Sequence, residues 1–419
     1  MTSDPVRASR TVTGGRVRPV ESRTAGFPQG ACILLASMLP AMGVTLLSPN
    51  IPAITAAVGD QPGGAYLISI ALTIPALVIA ILSGFAGIVV DRFGRRVCLL
   101  SALGLYAVFG VFPAFSTSLV VFIIMRGLLG VVEAVIMTST LALIADYFHG
   151  AERSRWLAYS TGFTAVMAIV VYVVAGALGE IGWRFPFYFY GIAALILALA
   201  VKVIWEPSRA QLIEEDACLV AQTPSIVTSR LFTTPFVTAL ALSAVGGALF
   251  FVIPLQIAEY YGQHGLTSPA LIGALIAVAT VGNAIGALGF RFVAHFPRRY
   301  LIAGAMGVSA IGLLLLPFCT TVTTVTVAAF INQLGAGMLP PLLMSITMSL
   351  ATAFHRGRAG GLFWSAFSIG NFLSPIIMVS VISALGSLAH AFVAVAVLCV
   401  VIAGLSVGAG SRIFPEPKL

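Results

Sequence analysis

Charge is what this chain has least of. Only 9% of its 419 residues are Asp, Glu, Lys or Arg, against about 25% in a soluble domain. Apolar residues take their place, at 59% of the chain and a mean hydropathy of +1.06. One soluble core cannot enclose that much apolar surface, so a water-soluble globule is excluded and the excess faces lipid. Cysteine is scarce too. Cys32, Cys98, Cys218, Cys319 and Cys399 show no C-x-x-C spacing, so neither a disulfide nor a thiolate metal site is expected. His149, His264, His295, His355 and His390 are dispersed near loops, and no metal is expected. No G-x-x-x-x-G-K-[ST] stretch occurs, which removes ATP hydrolysis by that motif. No catalytic residue and no cofactor is predicted, and the chain does not read as an enzyme.

What is present is a series of long apolar runs. Each crossing of ~30 Å of hydrocarbon takes ~20 apolar residues, and backbone polar groups in lipid must be satisfied within the segment, so the runs are helices. Twelve are predicted, at about 28–51, 64–90, 97–115, 118–145, 156–178, 185–205, 233–260, 269–293, 300–318, 322–351, 360–383 and 388–410. The fold class is all-α, a twelve-helix membrane protein. The prolines of Leu46-Leu47-Ser48-Pro49-Asn50-Ile51-Pro52 are expected to stop or bend the first helix, and Pro75 to kink the second. Trp156, Trp183, Trp205 and Trp364 lie near span ends, as interfacial anchors do. Residues 1–27 read as a basic, disordered tail, 28–205 as a first six-helix half, 206–232 as a linker, 233–410 as a second half and 411–419 as a second tail.

The net charge of +8 does not point to nucleic acid. With twelve spans both termini lie on one side, and 20 of the 22 basic residues fall in the tails, loops and adjoining helix ends of that side. The exceptions are Arg126, inside a span, and Arg184, at an opposite helix end. The positive-inside rule then places both termini in the cytoplasm of a multi-pass cell-membrane protein.

The most informative loop lies between the second and third spans. Gly87-Ile88-Val89-Val90-Asp91-Arg92-Phe93-Gly94-Arg95-Arg96 carries four charges in six residues between two uncharged runs. It resembles the loop signature of the major facilitator superfamily, G-x-x-x-D-R-x-G-R-R, at Gly87, Asp91, Arg92, Gly94, Arg95 and Arg96. The second half repeats the first at an offset of 203 residues. Asp91-Arg92-Phe93-Gly94-Arg95-Arg96 falls on Ala294-His295-Phe296-Pro297-Arg298-Arg299, and Arg153 and Arg155 fall on Arg356 and Arg358. The resemblance implies two pseudo-repeated six-helix halves with a substrate site between them near mid-membrane. It also implies that Asp91 and Arg92 act in a gate between the halves, with Asp146, Glu152 and Arg153 as candidate partners.

The fourth span carries the one opposed charge pair inside the spans, Arg126 and Glu133. A charge at the bilayer centre costs ~2.5–3.5 kcal/mol on insertion scales and is usually functional. Arg126-Gly127-Leu128-Leu129-Gly130 resembles the family's fourth-helix motif R-x-x-Q-G, with Leu129 in place of glutamine. Arg126 either faces the cavity, tuning a proton site or pairing an anion, or holds helices together through backbone carbonyls. Glu133 is seven residues on, on the same face and ~10 Å away along the axis. It reads as a proton-coupling residue, a structural ion-pair partner, or a glutamate at the cytoplasmic mouth. Tyr172, Asn283, Asn332, Gln333 and Asn371 are the other mid-span polar candidates, for substrate contact or helix bonding. The family's glycine- and proline-rich antiporter run is degraded here, since Val171–Gly176 has no proline.

Together these readings predict a secondary active transporter working by alternating access, with protons as coupling ion. The resemblance is to the twelve-helix drug/proton antiporters, implying export of a small amphipathic compound. The alternative is a proton symporter importing an organic anion anchored on Arg126. A membrane sensor built on the same fold is a third reading, unsupported by any attached soluble domain. The expected partners are a small-molecule substrate and the lipid bilayer, with a functional monomer.

Overall fold

A computed structural model describes residues 25–58, 64–116, 118–206, 232–351 and 356–413. Most of the predicted tail (1–24), most of the predicted linker (207–231), His355 and the last six residues lie outside the described residues. Among the described residues, twelve helices are long and apolar enough to cross a membrane. They are α1 (Phe27–Ala57), α2 (Gly64–Phe93), α3 (Arg95–Phe115), α4 (Leu119–Tyr147), α5 (Gly150–Ile181), α6 (Phe185–Val203), α7 (Thr234–Gln263), α8 (Pro269–Val293), α9 (Arg298–Phe318), α10 (Val322–Ser349), α11 (Arg356–Leu385) and α12 (Leu388–Ile413). No strand occurs among the described residues. Large apolar side chains such as Phe318, Leu195 and Phe85 stand exposed, more than a water-facing surface would carry.

The repeat written in the loops extends to the helices. Helices α3 and α9 start at Arg95 and Arg298, and α4 and α10 at Leu119 and Val322; α6 and α12 start at Phe185 and Leu388. Each pair is 203 residues apart. Even the capping is copied: the side chain of Ser118 accepts from the Val121 amide, and that of Thr321 from the Thr324 amide. Each hydroxyl satisfies a donor that the first helical turn leaves without a partner.

The two larger buried clusters among the described residues follow this repeat. One gathers residues between Cys32 and Ile204, the other residues between Ala239 and Cys399. They exchange one residue each: Tyr172 of α5 packs in the second cluster, and Leu255 of α7 in the first. The halves meet where α2 packs on α11 and α5 on α8.

The first helix is interrupted at its proline pair, as expected, and two other expectations change. Ser48–Asn50 tightens to a single 3₁₀ turn and the helix resumes at Ile51, because proline is tolerated in a first helical turn, where no N–H is needed. Helix α5 begins at Gly150 rather than 156, since a charged first turn continues a helix beyond the apolar window. Trp156 is not an interfacial anchor: it is buried over Gly30 and stacks on Phe148 at 4.9 Å.

Candidate functional site

Arg126 is buried in the first half, and its surroundings begin with a proline. Pro75 lies inside α2. Having no N–H, it leaves the carbonyl of Ala71, four residues earlier, without its helical donor. Arg126 supplies one, from Nε to Ala71 O at 3.1 Å. Its Nη2 donates to Leu72 O at 2.9 Å and to Gly43 O of α1 at 2.8 Å, and Nη1 to the Tyr190 hydroxyl of α6 at 2.9 Å. One turn on, Gly130 packs on the same proline. A Cβ there would stand 2.7 Å from Pro75 Cα and 2.8 Å from Pro75 O. The Arg-x-x-x-Gly spacing in α4 is thus the complement of a proline in α2: a donor for the freed carbonyl and a notch for the proline.

Glu133 is equally buried, yet no nitrogen of Arg126 lies within 4.0 Å of its oxygens. Both side chains converge on Gly43 instead. A Cβ built there would be 3.1 Å from Glu133 Oε1 and 3.7 Å from Arg126 Nη2. Glu133 Oε1 has no hydrogen-bond partner. Two tyrosines close the cluster: Tyr106 donates to Leu39 O at 2.6 Å, and its ring lies 5.5 Å from that of Tyr190. Buried polar atoms are rarely left unpaired, so an orphaned carboxylate oxygen beside a guanidinium with four of its five N–H groups engaged elsewhere is the feature of this site with chemical potential. At the equivalent positions of the second half, 203 residues on, stand Ala329 and Ala336.

The other mid-span polar residues are not gathered here. Asn283 of α8 donates to Gln333 Oε1 of α10 at 3.1 Å, leaving Gln333 Nε2 without a partner. Asn332 turns the other way and donates to Ser309 O of α9 at 3.0 Å, a bond inside the second half. Asn371 of α11 is buried with an unpartnered Oδ1. Tyr172 packs in the second core.

The basic turn sits at the end of the bundle where α1 starts and α6 ends. Gly94 takes φ 98°, a conformation that side chains disfavour. A Cβ on it would also stand 2.9 Å from Glu206 Oε1. That proximity serves the next helix. Glu206 accepts from the Arg95 amide at 2.8 Å and the Arg96 amide at 2.7 Å, capping the start of α3. Arg96 donates to Ile204 O at 2.7 Å and Val201 O at 3.1 Å. Arg95 Nε is 2.6 Å from Asp146 Oδ2, an ion contact too bent to be a hydrogen bond, and its Nη2 is 3.5 Å from Asp91. Asp146, a candidate partner for Asp91 and Arg92, therefore pairs with Arg95. Gly87 has open space around it. The contacts of Arg95 and Arg96 stay within the first half, tying α3 to the ends of α4 and α6.

At the opposite end the halves hold each other. Ser48 donates to Pro254 O, the hydroxyls of Tyr66 and Ser380 are 3.4 Å apart, and Glu180 accepts from the Ser268 hydroxyl and, at 3.1 Å, from the Ala270 amide. Deeper in, Thr73 donates to Phe372 O at 3.2 Å and Ser83 meets Ser365 at 2.8 Å.

Gly43, Tyr106, Tyr190 and Glu206 are not among the predicted site residues. A glycine and two tyrosines in apolar runs carry no signal. Glu206, a lone acid just beyond the sixth span and facing a basic turn, carried a usable one.

Comparison with known proteins agrees with this architecture. The family model described as Major Facilitator Superfamily matches residues 33–375 and 236–418. The quinolone resistance protein NorA of Staphylococcus aureus (strain COL) is 24% identical over 342 residues, covering 80% of this chain and 85% of that protein. The vesicular acetylcholine transporter of Mus musculus is 27% identical over 311 residues, covering 72% of this chain and 58% of that one. Among solved structures, an inward-facing, occupied bacterial homologue of the human lysosomal transporter Spinster superposes with a TM-score of 0.75 at 15% identity, covering 94% of this chain and 100% of the other. A D-xylose–proton symporter does so with a TM-score of 0.75 at 17% identity, covering 91% and 97%. At those identities the likeness is one of fold.

Proposed function

The chain belongs to the major facilitator superfamily, and from that premise we propose that this membrane transporter exports a small amphipathic organic compound in exchange for protons. The observation that carries the coupling is Glu133, a fully buried carboxylate with an unpartnered oxygen, facing Gly43 and standing off from Arg126. A carboxylate so placed can take up a proton without first breaking an ion pair, and its charge state then depends on what enters the space beside it. The likeness to a quinolone resistance protein along 80% of the chain supports efflux as the direction. Import of an organic anion held by Arg126 is the weaker reading, because that guanidinium already serves three carbonyls and a hydroxyl.

Arg126 acts here as a positioning residue. It holds α1 at Gly43 and α2 at the carbonyls of Ala71 and Leu72, and its positive charge stays near enough to Glu133 to bias its protonation. The termini and the basic turn lie on the cytoplasmic side, residues 206–232 link two six-helix halves, and the turn stiffens the first half so that it rocks as a unit, with Asp91 and Arg92 at the gate.

The test is proton movement in proteoliposomes containing a pH-sensitive dye, with a panel of cationic, neutral and anionic compounds. Compound-triggered flux opposite in direction to the compound establishes antiport. Flux in the same direction as an anion would establish the symport reading and overturn this one.

A further inference from the structure

The contact of Glu180 with the start of α8 joins the two halves in an unusual way, for it completes a helix cap from outside the helix's own half. Helix α8 begins Ser268-Pro269-Ala270-Leu271. Pro269 has no N–H. The Leu271 amide donates to the Ser268 hydroxyl oxygen at 3.3 Å, the usual cap. That leaves the Ala270 amide, which donates to Glu180 Oε1 at 3.1 Å, while the Ser268 hydroxyl gives its proton to the same oxygen. Two donors of the second half thus converge on one carboxylate of the first, at the positive end of a helix dipole.

The glycines beneath hold this register. Gly176, one turn before Glu180, lies against Pro269 O, and Gly273, one turn into α8, lies against Tyr172 O. The two backbones touch, leaving no room for a Cβ on either glycine. Gly179 is packed in turn against Asn50 of the 3₁₀ turn in α1, whose Nδ2 donates to Ala175 O at 3.0 Å. The end of α5 is therefore held by its own half and delivers Glu180 to the other.

Resting on the transporter reading above, we propose that Glu180 is a latch: it holds the halves closed at the face opposite the basic turn by capping α8, and it must let go for that face to open. Once the face opens, water replaces the carboxylate at the Ala270 amide and at Ser268. The latch therefore biases the two states without locking either, and its loss shifts the open-to-closed ratio by about two- to five-fold, the scale of one carboxylate at a helix N-terminus.

Phe115 and Phe318 are repeat mates, one per half, at the ends of α3 and α9 on this face, and both are exposed. Spin labels on cysteines placed there, in a full-length chain freed of its native cysteines, report the opening as an electron–electron distance. The expected result is one dominant short distance with Glu180 intact, and a long-distance population raised about two- to five-fold in Glu180→Ala and in Ser268→Ala, with Glu180→Asp nearer the parent. Identical distributions in the parent, Glu180→Ala and Ser268→Ala overturn the latch. Should Glu180→Ala fail to insert, Ser268→Ala decides alone. The measurement needs no substrate, so a distance shift without proton-coupled efflux would uphold the latch and reject the functional reading.

Discussion

Arg126 Nε donates to the carbonyl of Ala71, the acceptor that Pro75 leaves without a helical partner, at 3.1 Å. A defect in one helix and a charge in another are thereby made to satisfy each other. In hydrocarbon each alone is costly; together they form a fixed joint between α1, α2, α4 and α6.

That joint predicts the outcome of Arg126→Lys. One ammonium cannot reach four acceptors on three other helices, so efflux falls at least ten-fold while the protein still inserts. Charge-assisted bonds of this kind contribute about 1.5–3 kcal/mol each, so the detergent melting temperature drops as well. Dye efflux together with thermal unfolding of the purified variant checks both. Near-parental efflux would show that charge alone suffices at this position.

Glu133→Gln keeps the shape of the side chain and removes its titration. Proton flux coupled to substrate is expected to vanish, with substrate binding retained within a few-fold. Proteoliposome flux and a binding titration on the same preparation separate the two effects. Unchanged flux would demote Glu133 to a packing residue.

Gly43 is expected to tolerate nothing larger. Alanine would place its Cβ 3.1 Å from Glu133 Oε1 and 3.7 Å from Arg126 Nη2, and valine would add two further carbons. Efflux should decline in the order Gly, Ala, Val, with surface expression held. Equal efflux by all three, measured as drug tolerance of cells at matched protein level, would remove Gly43 from the site.

At the basic turn, Gly94→Ala combines a disfavoured φ with a Cβ 2.9 Å from Glu206 Oε1. A strained residue of this kind costs about 1–3 kcal/mol. Glu206→Ala removes only the cap of α3, worth about 0.5–2 kcal/mol for a helix N-cap and nearer the low end at an exposed site. Thermal unfolding should therefore rank parent above Glu206→Ala above Gly94→Ala. The reverse order would mean that the cap outweighs the strain.

Local arithmetic made much of this molecule readable. Twelve apolar runs and a 203-residue repeat required no tertiary information, because lipid makes each helix satisfy its own backbone and the repeat is written in matching loops. Arg126 and Glu133 stood out as charges where charge is expensive. The roles of Asn332 and Trp156 did not, since an amide or an indole near mid-span or a span end looks the same whether it faces a neighbour, lipid or a cavity. Asn332 proved to bond α9, and Trp156 to fill the first core.

The sequence by itself determined how many helices there are, where they turn and which buried residues carry charge, since these follow from hydrophobic length and the cost of ions in hydrocarbon. Only the tertiary structure decided that Arg126 and Glu133 share Gly43 rather than an ion pair, that Arg95 takes Asp146, and that Glu180 caps a helix of the other half. Each of these joins residues from different helices, and which helix faces meet is set by glycine notches and prolines acting between segments far apart in the chain.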